Sequence, residues 1–307
     1  MTLILEILLL VLGFVLLVKG ADWFVDGASG IAAKLHIPQL VIGLTIVAMG
    51  TSAPEAAVSI SAALKGSADI TIGNIVGSNI LNILIILGLA SAIVPIAVAK
   101  STIRVDIPFM LAITGVLLVL GWDQSITFTF GLIMLVLFAG YLGYMLYMAK
   151  KGGEEGDEIK DLKLWQALLY TVLGLTLIVW GADVAVDAAT ELARIFGLSE
   201  RFIGLTVVAL GTSLPELFTS VTAARKGNAE IAIGNIVGSN VFNILFVVGL
   251  SSMIIDVPFA SNFRIDMAVA VAASLFMWAA SLKNKKLVRW HGIVMLLGYA
   301  AYFLYLL

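Results

Sequence analysis

The chain has 307 residues, 61% of them hydrophobic and only 12% charged, with a formal net charge of −2 and no cysteine. A soluble domain carries about a quarter charged residues, so this composition excludes one and indicates an integral membrane protein. The near-zero net charge implies no nucleic-acid partner, and the missing cysteines exclude disulfides and thiolate metal sites.

The N-terminal stretch MTLILEILLLVLGFVLLVK lacks a basic n-region and a small-residue cleavage site. It reads as a first transmembrane helix, not a signal peptide. At roughly 20 apolar residues per crossing, ten spans are predicted in chain order. They lie at 2–21, 38–64, 70–97, 104–120, 126–148, 164–187, 202–224, 230–255, 264–282 and 288–306. The only long polar connection is KKGGEEGDEIKDLK, Lys150 to Lys163. Odd-numbered connections carry most of the Lys and Arg, from Lys34 through Lys100, Lys150 and Lys226 to Arg289, whereas even-numbered ones carry only Lys65, Arg194, Arg201 and Arg264. That bias puts the odd connections and the central linker in the cytoplasm and both termini outside.

The chain repeats itself at an offset of 161. GLTIVAMGTSAPE at Gly43–Glu55 returns as GLTVVALGTSLPE at Gly204–Glu216, and GNIVGSNILNIL at Gly73–Leu84 as GNIVGSNVFNIL at Gly234–Leu245. Asp22 and Asp26 match Asp183 and Asp187. The expected organisation is all-α and polytopic: a first five-helix repeat over 1–149, a cytoplasmic linker over 150–163 and a second five-helix repeat over 164–307. Five is odd, so the second repeat enters the membrane from the opposite side. Inverted-topology repeats mark transporters that bind substrate near the midplane where the halves meet.

Each repeat puts a carboxylate, Glu55 or Glu216, deep in an apolar span. S-x-P-E reads locally as a helix start, with Ser52 and Ser213 in a capping box and Pro in the first turn. Pro54 and Pro215 cannot donate to the carbonyls of Gly50 and Gly211, and freed backbone at this depth is tolerated only against protein or a wet cavity. The hydroxyls of Thr51, Ser52, Thr212 and Ser213 stand beside it. Asn74, Ser78 and Asn82, spaced by four, form a polar stripe on one helix, as do Asn235, Ser239 and Asn243. Gly73, Gly77, Gly234 and Gly238 read as packing positions.

An intramembrane carboxylate costs several kcal/mol and is a functional hypothesis by default. Two of them need protons or cations between them. Hard oxygen donors without His or Cys suit Ca²⁺ or Na⁺, and a charge of −2 matches one Ca²⁺ or two Na⁺. A proton-coupled calcium antiporter, a cation channel and an intramembrane enzyme are the competing readings. The channel lacks a filter loop, and the enzyme lacks a His or Cys near the glutamates.

The paired G-T-S-x-P-E and G-N-x-x-G-S-N-x-x-N elements resemble the α-repeats of the cation/calcium exchanger superfamily, and are most similar to its prokaryotic sodium/calcium exchangers. The resemblance covers nearly the whole chain. It implies a secondary antiporter that moves Na⁺ inward and Ca²⁺ outward by alternating access, with no cofactor and no obligate protein partner, in the cell membrane. It implies that Glu55 and Glu216 are the central calcium ligands, shared with sodium, and that Thr51 and Thr212 add hydroxyl and carbonyl oxygens. Ser52, Ser213, Ser78 and Ser239 would line sodium positions with the Ala48 and Ala209 carbonyls, and Asn82 and Asn243 would flank the centre. The first and sixth spans would slide across a rigid core. Potassium-dependent members have an aspartate where this chain has Asn243, so potassium co-transport is not expected here.

His36 and His291 read as interfacial, Trp23, Trp122, Trp165 and Trp290 as belt anchors, and Glu154, Glu155, Asp157 and Glu158 as a solvated linker. Asp22, Asp26, Asp183 and Asp187 are expected just past the ends of the first and sixth spans, in entrance or helix-end roles.

Overall fold

A computed structural model describes residues 3–120, 125–151, 162–197, 209–259 and 263–306. Trp122 and the acidic run at 154–158 lie outside them, as does the first part of the expected seventh span. The described chain is helical apart from two short β ladders. Its principal helices are α1 (Leu3–Leu35), α2 (Gln39–Thr51), α3 (Ala53–Leu64), α4 (Ile70–Ile93), α5 (Thr102–Leu120) and α6 (Phe128–Lys150) in the first half. The second half has α7 (Leu164–Ile195), the short turn Ala209–Gly211, α8 (Leu214–Arg225), α9 (Ala229–Ile254), α10 (Phe263–Asn284) and α11 (Arg289–Leu306).

Among the described residues, seven helices are long and apolar enough to cross a bilayer, or eight if the bent pair α2–α3 is one span. The pair turns by 50° at its break. Leu, Ile and Val side chains stand exposed along α1, α6, α7 and α11. In water such a surface would be a liability; here it is the face turned to lipid. The molecule is a multi-pass membrane protein.

Several boundaries differ from those expected of the sequence. Hydropathy ends the first and sixth spans at 21 and 187, but α1 runs on to Leu35 and α7 to Ile195. Asp22 and Asp26 therefore lie inside α1, not beyond it, and Asp183 and Asp187 lie within α7. Hydropathy carries the third span to 97. The helix stops at Ile93, and Ile96–Ala97 is a strand, β1.

The two longest helices pack as an antiparallel pair. Gly13 of α1 faces Ala185 of α7, Gly20 faces Ile178 and Gly27 faces Thr171, so each glycine lies seven residues beyond the last. Gly174 and Gly181 answer from α7. A Cβ at any of these five positions would meet backbone atoms under 3.0 Å away. The missing side chains let the two backbones touch, which is how helices associate where lipid removes any hydrophobic drive between them.

α4 and α9 form the buried centre, with 78% and 94% of their apolar windows shielded. Around them the halves interlock. Gly88 of α4 packs against Gly292 of α11, and Gly249 of α9 against Gly131 of α6. β1 pairs with β4 (Lys286–Leu287), and β2 (Ser125–Ile126) pairs with β3 (Val257–Pro258), both antiparallel. The registers are Ile96 with Leu287 and Val257 with Ile126, and the offset of 161 converts one ladder into the other. Each ladder ties a connection of the first half to one of the second.

Candidate functional site

The break between α2 and α3 creates the first part of the site. Pro54 has no N–H to give, so the ladder lapses at Ser52 and α3 restarts with Pro in its first turn. α8 starts the same way at Pro215. Helix restarts hold Glu55 and Glu216 in the protein interior, each 1% exposed.

The capping-box expectation is overturned. Neither Ser52 nor Ser213 caps its own helix. The Ser52 hydroxyl donates instead to Glu216 Oε1 at 2.7 Å, 164 residues away, and the Ser213 hydroxyl donates to Glu55 Oε1 at 3.2 Å. A hydroxyl bonded to a buried carboxylate outweighs the bond it would make to a backbone N–H, because the charged acceptor makes the stronger bond. The exchange is reciprocal, so each glutamate is held by the other half of the chain.

The asparagines complete the frame. Asn74 donates to the Glu55 carbonyl (3.1 Å) and the Ser59 hydroxyl (2.9 Å). Asn235 donates to the Glu216 carbonyl (3.5 Å) and the Ser220 hydroxyl (2.9 Å), and accepts from Thr51 at 3.0 Å. Asn82 donates to Asn240 Oδ1 at 2.9 Å, and Asn243 donates to Asn79 Oδ1 at 3.1 Å. Asn79 and Asn240 also donate to each other's carbonyls, both at 3.4 Å. This four-asparagine bridge between α4 and α9 includes two residues, Asn79 and Asn240, that the stripes spaced by four miss. They sit in the repeated G-S-N triplet, which was the available signal.

Why the amides of Asn82 and Asn243 point inward is a matter of backbone. Both helices widen to π-type turns there, at Asn82–Leu87 and Asn243–Val248. Such a widening inserts one residue into the turn and re-aims the side chains beyond it, and it recurs at functional sites. A third π segment, Gly43–Val47, lies in α2. Its neighbour Ala48 and residue Leu44 pack on Gly238, where any Cβ would collide, so packing does explain that glycine. Gly234 likewise meets Gly43 and Leu44.

Several buried side-chain oxygens among the described residues lack a hydrogen-bond partner, Glu6 Oε1 and Asp106 Oδ1 among them, and four such oxygens fall within the two repeated peptides: Glu55 Oε2, Glu216 Oε2, Asn82 Oδ1 and Asn243 Oδ1. They form two pairs related by the offset of 161. All are acceptors, and unpaired buried acceptors are costly. Their complement is a proton or a cation.

The remaining candidate residues lie close by in the chain. Thr51, Ser52, Ser78, Ser213 and Ser239 are all buried. The Ala48 carbonyl accepts from the Ser52 amide at 3.0 Å and from the Ser239 hydroxyl at 3.4 Å. Thr212 is half-buried on the turn preceding α8. Ala209 opens the short turn to Gly211, and the residues before it lie outside the described ones. Of the histidines, His291 accepts the Val288 amide N–H through Nδ1 at 3.1 Å, and His36 follows α1 with φ 53°. Both are far in sequence from the glutamates. Trp23 stacks on Tyr170, 5.8 Å between centroids, partway along α1, while Trp165 and Trp290 are exposed near helix ends, as belt anchors are.

Comparison with known proteins matches this geometry to one group. The sequence profile described as "Sodium/calcium exchanger protein" matches residues 5–147 and 166–307. The chain is 39% identical to "Putative antiporter CaxA" of Alkalimonas amylolytica, over 94% of this chain and 95% of that one. It is 32% identical to "Sodium/calcium exchanger MaX1" of Methanosarcina acetivorans, over 96% of each. A solved structure of the sodium-calcium exchanger NCX_Mj, soaked with 10 mM Na⁺ and zero Ca²⁺, superposes with a TM-score of 0.86 at 34% identity, covering 98% of this chain and 99% of that one. With two profile segments spanning both halves and the fold matched along its length, the chain belongs to the sodium/calcium exchanger protein family.

Proposed function

We propose that this protein is a secondary-active antiporter that moves Na⁺ inward and Ca²⁺ outward through one site built by both halves. Four buried oxygens without protein donors, two from carboxylates and two from amides, carry the reading. Two carboxylates supply −2, which one Ca²⁺ or two Na⁺ neutralises. Ca²⁺ takes six to eight oxygens at about 2.3–2.6 Å, so hydroxyls of Thr51, Thr212, Ser52, Ser213, Ser78 and Ser239 and carbonyls of Ala48 and Ala209 fill out the shell. A site that binds either load and is destabilised when empty couples the two fluxes, because the buried glutamates resist crossing without a cation.

The proposed architecture is ten spans in two inverted five-helix repeats, residues 1–149 and 164–307, joined by a cytoplasmic linker, with both termini outside. The paired ladders support it: the odd-numbered connections holding β1 and β4 meet on one side, and the even-numbered ones holding β2 and β3 on another. The α1–α7 pair is the moving part and the α4–α9 centre is the frame. The work is transport, not covalent chemistry, and needs no cofactor or obligate protein partner.

The test is ⁴⁵Ca²⁺ uptake into sodium-loaded proteoliposomes diluted into sodium-free buffer. Uptake that requires internal sodium supports the reading. Uptake that ignores sodium and follows an imposed pH gradient would move the protein to proton-coupled calcium exchange on the same fold.

A further inference from the structure

The two halves share their sequence pattern but not every contact, and one difference involves charged groups outside the glutamate site. Asp22 and Asp26 stand one turn apart on α1, and the Lys226 ammonium just past α8 reaches both carboxylates at 2.6 Å and the Asp22 carbonyl at 2.9 Å. Asn228 beside it donates to the Ser29 hydroxyl at 2.9 Å. The α1–α7 pair is thus fastened to the core at the end that carries the α8–α9 connection.

The offset of 161 converts Lys226 into Lys65, and Asp22 and Asp26 into Asp183 and Asp187. The residue types are the same, yet Lys65, Asp183 and Asp187 are all exposed, and no ion pair joins them among the described residues. Asp183 and Asp187 are left as like charges one helical turn apart, an arrangement that costs stability when no cation intervenes. The three ionic residues cannot explain the difference, although Ser67 and Thr190 stand where Asn228 and Ser29 would map. The position of the helix pair can: α1 and α7 run antiparallel, so the two aspartate pairs lie toward opposite ends of it. With the halves inverted, as proposed above, travel that draws Asp22 and Asp26 away from Lys226 would carry Asp183 and Asp187 toward Lys65.

We propose that Lys226 with Asp22 and Asp26, and Lys65 with Asp183 and Asp187, are alternating latches that hold the α1–α7 pair at the two ends of its travel. The structure shows the state latched at Lys226. The proposal rests on the alternating-access reading above. Its physical advantage is balance. A single latch would bias the protein toward one state, whereas breaking one latch while making its copy keeps the two states close in free energy, as reversible exchange requires.

The chain has no native cysteine, so introduced pairs are the only thiols. Lys226→Cys with Asp26→Cys, and Lys65→Cys with Asp187→Cys, are treated in proteoliposomes under calcium turnover with a bis-methanethiosulfonate reagent whose spacer matches the reach of a lysine–aspartate pair, which exceeds that of a direct disulfide, and closure is read as the bridged adduct by intact-protein mass. Both pairs are expected to close, each stopping ⁴⁵Ca²⁺ exchange until reductant is added. Closure of the Lys226 pair alone would overturn the proposal. Because cross-linking does not depend on which ion is coupled, failure of sodium coupling would leave this result readable.

A second measurement needs no cross-link. Lys226→Gln should shift the ratio of apparent calcium affinities at the two membrane faces by about threefold to fivefold, and Lys65→Gln should shift it the opposite way. High choline chloride in both compartments screens the simple effect of a lost surface charge. Shifts in the same direction, or none, contradict alternation.

Discussion

Gly27 offers a sharp test of the helix pair, because two physical effects there have opposite signs. In a helix interior, Gly→Ala normally stabilises by roughly 0.5–1 kcal/mol, since glycine loses more backbone freedom. At Gly27 the added Cβ would lie 2.5 Å from the Thr171 amide nitrogen and 2.7 Å from the Ala167 carbonyl oxygen, where ordinary contact begins at 3.4 Å. Backbone cannot rotate away, so α1 and α7 must separate by roughly 1 Å along the seam and lose dispersion contacts on both sides. Overpacking of this kind costs about 1–3 kcal/mol, so the net effect of Gly27→Ala should be destabilising by about 1–2 kcal/mol. Gly140→Ala on the exposed face of α6 is the control, because there the helix-propensity effect acts alone. Thermal unfolding in detergent should place Gly27→Ala below the wild type and Gly140→Ala at or above it. A Gly27→Ala protein that melts no lower than wild type would refute the close approach of the two backbones.

The bonds that cross between the halves give further outcomes. Ser52→Ala removes a 2.7 Å hydroxyl–carboxylate bond and Ser213→Ala a 3.2 Å one. A hydrogen bond to a charged group contributes about 1.5–3 kcal/mol, so both variants should unfold at lower temperature, Ser52→Ala more so; the reverse ranking would contradict the geometry. Asn79→Ala strips the partner from Asn243 and should destabilise by about 1–3 kcal/mol through a buried orphan donor, measured by the same melt. Calcium exchange should be indifferent to potassium in the wild type. Asn243→Asp adds a third carboxylate to the proposed site, and ⁴⁵Ca²⁺ flux in that variant should respond to added potassium; no response would show that charge at this position does not set ion choice.

Much of the architecture was legible because membrane spans write themselves as long apolar runs and the duplication is nearly literal at residues 43–55 and 204–216. The features that stayed hidden depend on distant partners. Asp22 and Asp26 look like the polar margin of a span, and a local reading cannot see that their lysine partner lies some 200 residues away. Ser52 satisfies the local rule for a helix cap, but a carboxylate from the other half competes for its hydroxyl and wins. The π turns at Asn82 and Asn243 have no local signature, since Asn-Ile-Leu fits an ordinary helix equally well. Spacing by four selected Asn74, Ser78 and Asn82 on an ideal helix. The bridge residue Asn79 lies off that stripe and meets its partners on α9 rather than on its own helix.

The most direct measurement is sodium-driven ⁴⁵Ca²⁺ uptake in proteoliposomes by wild type, Glu55→Gln and Glu216→Gln protein, each checked for an unchanged melting profile. Wild-type uptake that needs the sodium gradient and vanishes in both variants is the predicted result. Folded Glu55→Gln or Glu216→Gln protein that still exchanges calcium at the wild-type rate would contradict a single site shared by the two halves.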